Sequence, residues 1–246
     1  MKNKRRILFT IIMIIAFILL GYCGYMIYQS YYEYKQVDDT YDEIVDEVIN
    51  ENDKPTEQKE IERFSVNWNK LLNINSDVIA WIRIPNTNIN YPIVKGSNNN
   101  QYLHHNIYGK YSKGGCPFVD STTITPFSNL NTIIYGHNLD NGSMFSNVKK
   151  YKNRDYAKEH NIIEIYLPDK TVNKYYVFAF GEVDANDYDV YNVYVDDLNK
   201  YYETTKKYNT LEVEQNYDTT KPIITLSTCT NRNENKRYVL QAYLVE

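Results

Sequence analysis

The N-terminal part of the chain contains an uncharged apolar run that limits what the rest can fold into. From Ile7 to Leu20 there is no charged residue, and the apolar character continues to Tyr28. About 20 apolar residues are enough to cross a bilayer as a helix. Residues 7–28 are therefore predicted to be a transmembrane anchor, and the remainder must fold as a separate unit outside the membrane.

Four cationic residues, Lys2, Lys4, Arg5 and Arg6, precede this run. Positive residues flanking a membrane segment stay on the cytoplasmic side, so residues 1–6 are predicted to be a cytoplasmic tail. A cleaved signal peptide is the alternative, but no small-x-small cleavage site follows the run. We expect a single-pass protein of the cell membrane, with its N-terminus cytoplasmic and its main domain extracellular.

The composition indicates a folded domain and excludes one class of partner. The 246 residues are 43% hydrophobic and 24% charged, with a net charge of −4. Binding to nucleic acid requires a basic face, and the chain is more acidic still beyond its first six residues. No nucleic-acid partner is expected.

Residues 29–60 are interpreted as a juxtamembrane helix and linker. Tyr34, Val37, Tyr41, Ile44 and Val48 recur at helical spacing and form one apolar stripe. Residues 52–60 are polar and contain a proline, which is typical of a linker. A second amphipathic helix is predicted to follow, with its apolar side formed by Ile61, Phe64, Trp68 and Leu71.

From residue 78 the apolar pattern changes to the short runs expected of β-strands. Eight strands are predicted, at residues 78–84, 89–94, 116–120, 131–135, 162–167, 172–183, 223–228 and 237–245. The long connection before the last two strands contains a helix capped by Asp196 or Asp197. The expected fold class is mainly β, an eight-stranded closed or nearly closed barrel with N-terminal helices.

Cysteine is rare in this chain, and one of its three copies has an unusual position. Cys229 directly ends the apolar run IITLST, where a strand opens onto polar residues. Cysteines outside the cell usually pair, so a Cys116–Cys229 disulfide is one alternative. The favoured interpretation is a free thiol at Cys229 that is kept for its chemistry.

A nucleophilic thiol needs a basic or cationic partner. His137 is the best placed of the four histidines, because it follows an apolar strand directly and Gly136 permits a sharp turn there. His160 lies in a polar helix-like segment and is expected at the surface. His104 and His105 are adjacent, so at least one must point outward.

Hairpin geometry points to a third group. If the last two strands pair around the loop centred on Asn233, Cys229 lies opposite Arg237 on the same sheet face, with Cβ atoms ~5 Å apart. A guanidinium at that place can stabilise a negatively charged oxygen. Arg232 is the competing residue, although it lies near the tip of the loop.

These motifs carry a family resemblance. TLSTC with a following arginine, and YGHN at a strand end, resemble the signature regions of sortases, the membrane-anchored cysteine transpeptidases of Gram-positive bacteria. Residues 77–106 and the segment GGCPFVD are similar to class B sortases, and the resemblance covers roughly residue 61 to the C-terminus. It implies that residues 61–246 form an extracellular sortase catalytic domain with the sortase-type barrel.

The resemblance also implies a reaction. His137, Cys229 and Arg237 would be catalytic, cleaving an LPxTG-, NPxTN- or SPxTG-like C-terminal sorting signal after threonine through a thioester. The acyl group would pass to the amine of a lipid-linked peptidoglycan precursor. Asn99, Leu103, Tyr135 and Ser227 are implied as substrate-binding residues. No cofactor or metal is expected.

Two other functions remain open at this point. An extracytoplasmic cysteine protease would use the same thiol and imidazole but release its product to water. A non-catalytic membrane-tethered binding domain would have an unreactive Cys229.

Overall fold

The computed structural model describes residues 2–51, 64–211, 218–230, 233 and 235–246. The chain begins with one long helix, α1, from Lys2 to Val48. A small antiparallel sheet follows, in which β1 (Ile49–Glu51) pairs with β2 (Phe64–Val66). A short helix, α2 (Trp68–Ile74), then leads into the main domain.

The main domain is a closed barrel of eight strands. Around the barrel the order is β10-β8-β7-β3-β4-β5-β6-β9, and β9 pairs with β10 to close it. The strands are β3 (Val78–Arg83), β4 (Asn90–Val94), β5 (Phe118–Val119), β6 (Asn131–Tyr135), β7 (Ile162–Tyr166), β8 (Val172–Asp184), β9 (Ile223–Cys229) and β10 (Lys236–Leu244). All eight predicted strands are present, so the predicted fold class is confirmed.

Period-two alternation fills the barrel. Ile134, Leu226 and Leu240 from three neighbouring strands are fully buried in the main core with Trp81. The residues between them on the same strands project to the outer face. The β4–β5 and β6–β9 pairs are parallel, whereas the others in the barrel are antiparallel.

Within the described residues, three helices lie in the connections between barrel strands. A 3₁₀ helix (Phe145–Lys152) and α3 (Arg154–Glu159) join β6 to β7. In the connection between β8 and β9 lies α4 (Leu198–Lys206), and the Asp197 side chain accepts hydrogen bonds from two backbone N–H groups of its first turn. This confirms the predicted capped helix.

The predicted apolar stripe of the juxtamembrane region packs on the barrel. Val37, Tyr41, Ile44 and Val48 are buried in the main core. The helix that carries them continues without a break from the apolar segment before it, so the predicted anchor and the juxtamembrane helix lie on one helix. The apolar part and the amphipathic part are each helical, and no residue between them interrupts the helix.

The second amphipathic helix was predicted incorrectly in its first half. Phe64 lies on β2 and not on a helix, because the chain there pairs with β1. The helix begins at Trp68, where the Asn67 side chain accepts a hydrogen bond from the Lys70 backbone N–H at 3.2 Å. Ile61 and the predicted linker, residues 52–60, lie outside the described residues.

Cys116 is buried where α1 meets the barrel. Its thiol lies beside Tyr41, and burial raises the pKa of Cys116 to about 12. The three cysteines are free, so the alternative Cys116–Cys229 disulfide is not formed.

We predict that α1 stabilises the barrel through its second half alone. Ile44→Ala leaves a cavity in the core and should lower the free energy of unfolding by about 2–5 kcal/mol. Ile27→Ala, on the same helix but at a side chain that is 72% exposed, should change it by less than about 0.5 kcal/mol. Denaturant unfolding of the full chain in detergent measures both, and equal effects would contradict this packing.

Candidate active site

Three neighbouring strands end at one edge of the barrel and bring polar side chains to the same face. β6 and β9 are parallel, with Tyr135 paired to Ser227. Gly136 continues this ladder by donating to the Ser227 carbonyl at 3.1 Å. The paired register ends there, and His137 and Cys229 each lie two residues beyond the Tyr135–Ser227 pair. The Asn138 side chain then donates to the Cys229 carbonyl at 2.9 Å.

On its other side, β9 pairs with β10, and Arg237 is the direct partner of Cys229. The predicted register of the hairpin is therefore the observed one. The half-buried Arg237 side chain donates from Nη1 to the Lys236 carbonyl at 2.9 Å. Arg232, the competing residue, lies outside the described residues.

Packing and hydrogen bonds on both sides hold His137. Its Nε2 lies 2.7 Å from the Leu103 carbonyl, so Nε2 donates there and Nδ1 is left as the proton acceptor. Phe145 donates its backbone N–H to the His137 carbonyl at 2.8 Å. At the preceding position a Cβ would lie 2.6 Å from the Phe145 ring, which explains Gly136.

The protonation of His137 is set mainly by burial. Desolvation lowers the pKa of His137, and the neighbouring His104 lowers it further, while the Leu103 hydrogen bond acts in the opposite direction. The neutral imidazole is therefore favoured in the free protein near pH 7.

The side chains of His137, Cys229 and Arg237 line one groove on the outer face of the barrel, with a volume of about 470 Å³. All seven residues singled out from the sequence line it: Asn99, Leu103, Tyr135, His137, Ser227, Cys229 and Arg237. These residues come from four separate parts of the chain.

One wall of the groove is held by a carboxylate that sequence reasoning missed. The buried Asp120 accepts from the Asn99 side chain at 2.9 Å and from the Tyr135 hydroxyl at 3.1 Å. Burial opposes its ionisation, but these donors and two from Thr122 outweigh that effect and lower the pKa of Asp120. The charged Asp120 thus orients two groove residues from behind.

Tyr191 covers the opposite wall and was also missed. Its hydroxyl lies 2.9 Å from Ser227 Oγ, and its ring stacks on Tyr135 with centroids 6.1 Å apart. Burial raises the pKa of Tyr191 to about 12, so the phenol stays neutral. The chain contains 26 tyrosines, and Tyr191 lies in a long connection where nothing in the sequence distinguished it from the others.

The other histidines are placed differently. His104 is exposed and stacks on His137 with centroids 5.9 Å apart. His105 bonds to the Gln101 carbonyl, outside the groove. His160 is buried and packs on Tyr156, which corrects the expected surface position. That segment is polar in sequence, but its helix ends at His160 and turns the ring inward.

The site has the groups needed for acyl transfer. A partly exposed thiol, an imidazole with an accepting nitrogen and a guanidinium share one groove. Among the described residues, no group of three or more His, Cys, Asp or Glu side chains is arranged to hold a metal ion.

Comparison with known proteins agrees with this arrangement. The sortase domain matches residues 82–245. The chain therefore belongs to the sortase family, whose members are cysteine transpeptidases.

Comparison with individual relatives indicates the class of sortase to which the chain belongs. The chain is 32% identical to sortase B of Listeria monocytogenes over 71% of its own length and 72% of the relative's. It is 28% identical to sortase B of Staphylococcus aureus over 100% and 99% of the two chains. The crystal structure of Clostridium perfringens sortase B, 28% identical, superposes with a TM-score of 0.67 over 72% of this chain and 99% of that one. Within the family this is a class B sortase.

We predict that the Asp120 carboxylate stabilises the fold only while it is ionised. Because folding lowers its pKa, its contribution is fully present above the ordinary value of 3.8 and is lost as pH falls through the lower folded value. Asp120→Asn should therefore be less stable than wild type at pH 7, and the difference should shrink below pH 3.8. Urea unfolding of both proteins from pH 7 to pH 3 measures it, and a constant difference would contradict the assignment.

Proposed function

We propose that the chain is a membrane-anchored transpeptidase that uses Cys229 as nucleophile, His137 as acid and base, and Arg237 as oxyanion stabiliser. The observation that carries this is one groove lined by all three side chains, in which Arg237 is the strand partner of Cys229 and His137 follows the end of the neighbouring β6. As a sortase, the enzyme acts on proteins that bear sorting signals.

The first half-reaction forms a thioester. When the peptide is bound, the Cys229 proton passes to Nδ1 of the neutral His137, because Nε2 is occupied by the Leu103 carbonyl. The thiolate attacks the carbonyl carbon of the signal's threonine, and Arg237 with backbone N–H groups stabilises the negative oxygen. The C–N bond then breaks as His137 gives its proton to the departing amine.

The second half-reaction releases the product. The amine of a lipid-linked peptidoglycan precursor attacks the thioester carbonyl, and His137 takes a proton from that amine. The new amide bond forms as the C–S bond breaks, and the departing thiolate takes the proton from His137, which regenerates the Cys229 thiol and the neutral imidazole. An amine is a much better nucleophile towards a thioester than water, which favours transfer when the acceptor is bound.

The extended signal would lie along the groove beside the catalytic residues. Asn99 and Tyr135 are held in place by Asp120, and both can form hydrogen bonds with the backbone of the signal peptide. Ser227 is held by Tyr191, and Leu103 offers an apolar contact. We assign these four residues to substrate binding, with a sorting signal of the LPxTG, NPxTN or SPxTG kind.

The proposed location follows from α1. In the part of the chain that the structure describes, this one helix is long and apolar enough to cross a membrane, and its most apolar window has a mean hydropathy of 2.6 with no residue buried in the protein. We assign residues 7–28 to a single span, with residues 1–6 in the cytoplasm and residues 61–246 outside. Tethered substrate and lipid-linked acceptor then meet the enzyme at one surface, which raises their effective concentration.

The catalytic assignment predicts two equally severe variants. Cys229→Ala and His137→Ala should each lower kcat/KM for a sorting-signal peptide by roughly a thousandfold or more, because each removes a group that reacts. Cleavage of a quenched fluorescent peptide, screened over the three signal types, measures the loss. His105→Ala, on a ring outside the groove, is the matched control. Wild-type rates in Cys229→Ala would remove the thiol from the reaction.

The same assay separates transfer from hydrolysis. Adding a short peptide amine should increase turnover and yield the amide product by mass spectrometry. A turnover rate that does not change when the amine is added, with the free acid as the sole product, would indicate a cysteine protease. An absence of cleavage, together with slow alkylation of Cys229 at every pH, would indicate a non-catalytic domain.

The role of the arginine has its own prediction. Arg237→Ala should lower kcat by about 10²–10³-fold, since it removes a donor to the oxyanion. Arg232→Ala should retain activity within a few fold. The reverse result would assign the oxyanion to Arg232 even though Arg237 is the strand partner of Cys229.

A further inference from the structure

Residues 34–41 of α1, which follow the apolar segment, contact two loop segments that in turn contact His137. One is the 138–144 loop, which directly follows the histidine. The other is the 102–116 segment, which supplies the Leu103 carbonyl to Nε2. The contacts come from two turns of the helix, between Tyr34 and Tyr41.

The 138–144 loop is bonded to the helix by polar groups. Asn141 donates from its side chain to both carboxylate oxygens of Asp38, at 3.1 and 3.0 Å. The Tyr34 hydroxyl donates to Asp140 at 3.4 Å. At the end of the loop, Met144 donates its backbone N–H to the Tyr91 hydroxyl at 3.0 Å, and the Tyr91 ring packs edge-on against Tyr41.

The 102–116 segment is packed on the helix by two glycines. A Cβ at Gly114 would lie 2.7 Å from Val37, so helix and segment are in direct contact there. The buried Tyr41 hydroxyl donates to the Gly115 carbonyl. Gly115 has φ +56 and lies against Leu103, where a Cβ would come within 2.7 Å of the same carbonyl that accepts from His137.

We infer that residues 34–41 of α1 are positioning residues of the active site, holding the His137 imidazole through these two connections. The helix proposed to cross the membrane is thereby joined rigidly to the catalytic histidine. This inference rests on the proposed role of His137. It predicts that loosening the helix from the loops lowers the rate of the chemical step more than it weakens peptide binding, because Leu103 is the one residue assigned to substrate binding that lies in either of these two segments.

The first test removes the polar links at the surface. In the full chain in nanodiscs, Tyr34→Phe/Asp38→Ala should lower kcat for peptide cleavage about tenfold, as expected for a small displacement of a catalytic group. KM should stay within about twofold. Asp39→Ala, which removes an exposed carboxylate of the same helix, is the matched control and should keep the wild-type kcat.

The second test uses the buried contact. Gly114→Ala forces a methyl group against Val37 and should also lower kcat, whereas Gly114→Ala/Val37→Ala makes room again and should recover most of the rate. Thermal unfolding of each variant, with assays run well below the lowest transition, separates displacement of His137 from loss of folded enzyme.

The outcomes are distinct. Wild-type kcat in both Tyr34→Phe/Asp38→Ala and Gly114→Ala, while His137→Ala is inactive, would overturn the positioning role and leave the proposed function intact. A rise in KM with unchanged kcat would also overturn it. Full activity of His137→Ala would overturn the proposed function and this inference together.

Discussion

The register of three neighbouring strands is the constraint on which the site depends. The position of Cys229 is fixed twice, by antiparallel pairing with Arg237 and by the parallel ladder that pairs Ser227, two residues earlier, with Tyr135. A slip of one residue on β9 would turn Cys229 into the barrel and bring Thr228 to the outer face. Burial of Leu226 and Ile134 on the inner face prevents that slip. The hydrophobic core of the barrel therefore determines the geometry of the proposed catalytic residues.

Around that register, the supporting contacts come from parts of the chain remote in sequence. Asp120 follows β5 and orients Asn99 and Tyr135, while Tyr191 reaches back from the β8–β9 connection to Ser227. The surroundings keep both residues in defined protonation states, with Asp120 an ionised acceptor and Tyr191 a neutral phenol. The groove is thus held in shape by the protein before any peptide arrives.

Much of this was accessible from the sequence, and the rest was not for physical reasons. Alternating apolar residues predicted each barrel strand, and hairpin symmetry alone predicted the pairing of Cys229 with Arg237. Phe64 was placed on a helix because a three-residue strand has no periodicity of its own and exists only where β1 pairs with it. Asp120 and Tyr191 gave no local signal, since their importance arises from contacts across the fold.

The burial of Cys116 determines which cysteine of the enzyme can react with oxidants. Disulfide exchange proceeds through a thiolate, and a thiol with a pKa of about 12 is almost never ionised at neutral pH. Cys116 therefore neither forms an internal disulfide with Cys229 nor reacts with oxidants in solution. Outside the apolar segment, Cys229 is then the only cysteine open to such reactions, and inactivation by oxidation would be expected to fall on that single sulfur.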